Sequence, residues 1–130
     1  MENKNQSILD ELVAGFEYPD SFLKLIQNDV QPTLTPWWFM HLREGATGSW
    51  LLHVQERYPS RQLVPFAAVK GTDDIACFDA SVRSADPMVY YVHTYTTLGW
   101  EDDGHVLNFD TWLKAAIADA AQFAAERDED

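Results

Sequence analysis

One stretch limits what this chain can fold into more than any other. Phe109, Trp112, Leu113, Ala116, Ile117, Ala120, Phe123 and Ala124 recur at spacings of three and four. On a helix they form a wide apolar stripe, and such a stripe needs an apolar surface to cover. Asn108 or Asp110 can cap this helix, and Asp110 also favours the positive end of its dipole. Lys114, Asp119 and Glu126 occupy the other face, and the tail 127–130 is expected to fray.

The surface to be covered lies in the middle of the chain. Leu63–Val69 and Ile75–Asp79 read as strands around a hairpin loop, Lys70-Gly71-Thr72-Asp73-Asp74. Met88–Tyr95 reads as a third strand, dense in β-branched and aromatic residues. Thr96–Gly104 is a turn region with room for one more short strand. Upstream, Ser7–Phe16 has helical spacing, and Pro19 opens a second helix that ends near Asn28. Residues 31–36 form a loop restricted by Pro32 and Pro36. The aromatic run Trp37–Met40 is a strand or an extended segment, and Gly45–Gly48 is a turn. A third helix runs from there to Tyr58, with Trp50, Leu51, Val54 and Tyr58 on one side and Pro59 ending it. This order gives a single α+β domain over 1–130. An antiparallel central sheet carries N-terminal helices and a long C-terminal helix packed on it.

A chain of 130 residues with 46% apolar and 13% aromatic content can build a core without a metal or disulfide. Cys77 is the sole cysteine, which excludes an intramolecular disulfide and a zinc site of several thiolates. The first residues are polar, and no apolar run approaches the roughly 20 residues that span a bilayer. The expected location is a reducing cytoplasm. Nine Lys and Arg against 21 Asp and Glu give a charge of −12. That surface repels phosphate backbones and anionic membranes, and it attracts basic proteins. On charge alone, solubility is the stronger explanation.

The catalytic motifs are missing. Gly45-Ala46-Thr47-Gly48-Ser49 lacks the lysine of a phosphate-binding loop. His41, His53, His93 and His105 show no helical metal-pair spacing, which leaves only a composite site with distant carboxylates. Cys77 lies in an apolar strand and reads as an inert core residue. No Gly-x-Ser-x-Gly occurs. Asp73-Asp74, Asp86 and Glu101-Asp102-Asp103 read first as solvated turns. Tyr90 and Tyr91 point to opposite sheet faces if strand alternation holds. Either one of them faces solvent or a partner, or helices cover both faces. No catalytic residue, metal site or cofactor is assigned.

Leu63-Val64-Pro65-Phe66-Ala67, then Asp73–Asp79 ending in Cys77-Phe78-Asp79, resembles the SUKH superfamily. That family's later parts correspond to Val89–His93, Gly99-Trp100-Glu101 and Phe109-Asp110-Thr111-Trp112-Leu113. The resemblance runs from Leu63 to Leu113. The N-terminal part departs from it, since no Gly-Gly segment follows Tyr18-Pro19-x-x-Phe22. In physical terms Phe66 and Phe78 would pair across the hairpin and meet the last helix through Trp112. The resemblance implies a SUKH-like fold and a non-enzymatic immunity protein that neutralises a toxin domain, often a basic nuclease. Contact residues under this reading are Asp73, Asp74, Asp79, Glu101, Asp102 and Asp103, with Tyr91 and Trp100 as aromatic anchors. The alternatives are a cytoplasmic scaffold or regulatory module, and an enzyme acting on a small molecule.

Overall fold

Five antiparallel strands form one sheet in the order β1-β2-β3-β4-β5, so every strand pairs with its neighbour in sequence. The computed structural model describes residues 15–28, 32–94 and 102–128. The strands are β1 (Trp37–Phe39), β2 (Leu63–Val69), β3 (Asp74–Asp79), β4 (Val89–His93) and β5 (Asp102–Val106). Three helices accompany them among the described residues: α1 (Asp20–Ile26), α2 (Ala46–Arg57) and α3 (Phe109–Asp128). A single 3₁₀ turn, Met40–Leu42, follows β1.

The expected α+β architecture with a long C-terminal helix is therefore present, with differences at the margins. Pro19 sits just outside α1 as its cap instead of opening it, and the helix stops at Ile26. The helix expected over Ser7–Phe16 lies outside the described residues except at its end, where Gly15 and Phe16 are not helical. Gly45 caps α2 with φ 77°, a left-handed conformation that glycine adopts without strain. The helix then starts at once, so Thr47 and Gly48 are buried helical residues and not a turn. α3 runs through Asp128. Its final turns are rich in alanine and acidic residues, and Gln122 bonds Glu126 one turn on. Asn108 is its cap: Oδ1 accepts from the Thr111 amide at 3.0 Å.

Alternation sends the sheet's side chains to two faces. Val64, Ala76, Phe78 and Val89 join Trp37 and Phe39 in a cluster with Phe22 of α1 and Phe109, Trp112 and Ala116 of α3. Leu63, Ala68, Ile75, Cys77 and Val92 join a second cluster with Met40, Val54 and Tyr58. A bulge in β2 between Pro65 and Ala67 lets consecutive residues Phe66 and Ala67 both enter the first cluster. Phe66 stacks on Phe78 with ring centroids 4.3 Å apart, and Trp112 meets Phe66 edge-on at 4.9 Å. The cross-hairpin pair expected from the sequence is thus the centre of the aromatic core. β2 is buried from Leu63 to Ala68, as a strand covered on both faces must be.

Candidate functional site

The turn that ends β2 and the strand ends beside it collect charge. Asp73 lies in the β2–β3 turn, Asp74 opens β3, and Asp102 and Asp103 open β5. β3, β4 and β5 are adjacent, and in their register Asp74 stands opposite His93 while Asp102 stands opposite Val92. Four carboxylates from two distant segments therefore share one end of the sheet. Asp73, Asp102 and Asp103 are exposed, and Asp74 is half-buried.

The other expected contact residues fall elsewhere. Asp79 closes β3 at its far end, five residues from Asp74, or about 17 Å along the strand. Its Oδ1 is engaged locally, accepting from the Ser81 amide at 2.9 Å. Tyr91 is half-buried and packs against Trp37, 6.2 Å between ring centroids. Burial, with a smaller contribution from the nearby Asp119 carboxylate, pushes its hydroxyl pKa up. Tyr90 belongs to the margin of the second cluster, with the Arg61 guanidinium 5.1 Å over its ring. Both tyrosines are half-buried, so neither face is fully open or fully covered at this point. Trp100 and Glu101 lie outside the described residues.

At the centre of the acidic end stands His93, one of four histidines that the sequence left without an assigned partner. His93 Nδ1 contacts Asp74 Oδ1, and His93 Nε2 lies 3.0 Å from Asp103 Oδ2. The imidazole is thus held between carboxylates from the strands on either side. Its backbone is pinned as well. Tyr58 Oη shares its hydrogen between the carbonyls of His93 and Thr94, at 3.0 and 3.1 Å. Buried Thr94 donates from both its amide and its hydroxyl to the Asp73 carbonyl, at 3.1 and 3.0 Å. Asp103 reaches His93 through a bulge between Tyr90 and Val92 of the β4–β5 ladder, where Gly104 has φ 102°. Only the strand register could have revealed this grouping, because 19 residues separate Asp74 from His93 and ten separate His93 from Asp103.

Two other features bear on chemistry. Cys77 is fully buried in the second cluster, and burial pushes its thiol pKa far up, so thiolate is disfavoured. An open groove of about 640 Å³ is lined by Phe16, Gln62, Ser81 and Arg83 and carries one carboxylate, Glu17. No helix among the described residues is long and apolar enough to cross a membrane.

Compared with protein-family models, with curated proteins and with solved structures, the chain matches none. The fold and the acidic end of the sheet therefore carry the functional argument.

Proposed function

We propose that this chain is a SUKH-like immunity protein, a non-catalytic cytoplasmic module that binds and blocks one cognate basic toxin domain. The observation that carries the reading is the meeting of Asp73, Asp74, Asp102 and Asp103 at one end of the sheet. Three of these are exposed, so a partner reaches them without unfolding anything. Clustered charge of one sign raises the encounter rate with an oppositely charged surface and disfavours acidic competitors. The net charge of −12 extends the same field over the whole surface.

Two further points support the family part of the reading. Pro-Phe-Ala and Cys-Phe-Asp fall on the paired strands β2 and β3, with Phe66 and Phe78 in the core. Phe109 and Trp112, from the Phe-x-x-Trp-Leu segment, meet those phenylalanines. The open groove, with its single carboxylate, offers no pair of acid and base groups of the kind hydrolytic chemistry uses. Among the described residues the contact set narrows accordingly to Asp73, Asp74, Asp102 and Asp103, without Asp79 or Tyr91.

The test is co-expression with a toxin domain encoded beside this chain's gene, followed by association kinetics on the purified pair. Protection of the cells and a tight complex are expected. Asp73→Lys with Asp102→Lys alters neither carboxylate that touches His93 and should slow association at low salt by about tenfold or more. The difference should shrink as salt rises. Absence of protection and of binding sinks the proposal, and an unchanged association rate at low salt sinks its electrostatic part.

A further inference from the structure

We infer that Asp74, His93 and Asp103 form a binding site for a divalent first-row metal ion of the zinc type. One donor atom from each residue lies within 4.8 Å of the other two. The three come from three adjacent strands, so the sheet ladder and not a loop fixes their spacing. Tyr58 bonds the His93 backbone carbonyl, and the next residue, Thr94, bonds the Asp73 carbonyl, which fixes the strand end that carries the imidazole.

The charge balance points the same way. Two carboxylates are drawn to one imidazole, with Asp73 and Asp102 as sequence neighbours. Asp74 Oδ1 is shut off from solvent and makes no hydrogen bond, although it lies against His93 Nδ1. Its contact with His93 is close without being a well-aligned hydrogen bond. A dication would relieve the repulsion between the two carboxylates.

The donor set narrows the metal class. One imidazole nitrogen with two carboxylate oxygens suits Zn²⁺, and to a lesser degree Mn²⁺, Co²⁺ or Ni²⁺. Calcium and magnesium prefer oxygen ligands throughout. Three protein ligands leave a coordination position open on the exposed Asp103 side, where water or a partner's side chain would sit. This inference stands apart from the proposed immunity role, because it concerns the chain alone.

The experiment uses the full chain, stripped with a chelator and titrated with Zn²⁺ by calorimetry, then with Co²⁺ by visible absorption. Saturable binding of one ion is expected, with the His93 ring nitrogens shifting in NMR spectra. His93→Gln should weaken binding by at least about a hundredfold, and Asp103→Asn by at least about tenfold. Asp103 is exposed, so its variant should keep the fold, which circular dichroism checks. His105→Gln, at a ring that packs on Tyr90, should bind as the unaltered chain does. No saturable binding, or binding that survives His93→Gln, overturns the inference and leaves the cluster as a contact among side chains alone. Toxin protection plays no part in these readouts, so failure here is separate from failure of the immunity proposal.

Discussion

Phe66 and Ile75 belong to the same hairpin, yet they meet different neighbours. Phe66 enters a continuous group of rings that includes Phe22, Phe78, Phe109 and Trp112. Ile75 enters a set of smaller side chains, Met40, Val54, Cys77 and Val92, closed by Tyr58. The first face holds the larger cluster, dominated by rings that span the gap between sheet and helix. The second holds fewer residues, mostly without rings, and is tied to the sheet by a hydroxyl. Loss of one ring opens a void that neighbouring rings are too stiff to fill, whereas loss of one methyl is spread over several contacts.

The largest expected effect follows from that contrast. Trp112 is fully buried at the centre of the ring group, and Trp112→Ala should lower unfolding free energy by about 3–5 kcal/mol. Trp112→Phe should cost far less, since it keeps a ring and removes a buried Nε1–H that has no acceptor. Chemical denaturation of the three proteins checks both values. Equal losses for the two variants would mean that ring packing is not what holds this face.

On the second face the tie comes before the packing. Tyr58→Phe keeps the ring and deletes the hydrogen shared by the His93 and Thr94 carbonyls, at an expected cost of about 1–3 kcal/mol. Hydrogen exchange should show the C-terminal end of β4 loosened more than the rest of the sheet. A neutral Tyr58→Phe would show that this face relies on apolar contact alone. Ile75→Val, also fully buried, should cost about 0.5–1.5 kcal/mol. A loss as large as that of Trp112→Ala would erase the distinction between the faces.

The smallest effect is a pH dependence. His41 lies against the rings of Phe22 and Phe39, at 6.0 and 5.5 Å between centroids, and neither ring nitrogen finds a hydrogen bond. Burial lowers its pKa below the ordinary 6.5. The unfolded chain then binds a proton more readily than the folded one. This contribution to stability is intact above pH 6.5 and is lost as pH falls through the lower folded value. His41→Leu should flatten that part of the stability curve relative to the unaltered chain. Identical slopes for the two would remove His41 from the account.

Local chemistry was enough to anticipate the hairpin, a cap at Asn108 or Asp110 and the apolar stripe of α3, because each rests on residues a few positions apart. The Phe66–Phe78 contact was also legible, since a hairpin folds back on itself. Other features were not. The bulge that sends Phe66 and Ala67 to one face has no mark of its own in the run Leu63–Val69. Asp79 looked equivalent to Asp74, but the two ends of one strand cannot share a patch. The His93 cluster was invisible for the complementary reason. Its members are far apart along the chain and meet only when three strands settle into register.

The amino-acid order was thus sufficient for the three central strands, the long C-terminal helix and the strong acidity, whereas β5 begins inside the stretch 96–104 read as a turn region. The legible features depend on periodicity, capping and composition, which are properties of neighbours. Which carboxylates stand together, how far the tyrosines are covered and what His93 touches came from long-range strand pairing. Side chains alternate with a period of two, so one step of register decides the face each occupies. That step is set by the whole core acting at once, through Phe66, Phe78 and Trp112 on one face and Tyr58 on the other.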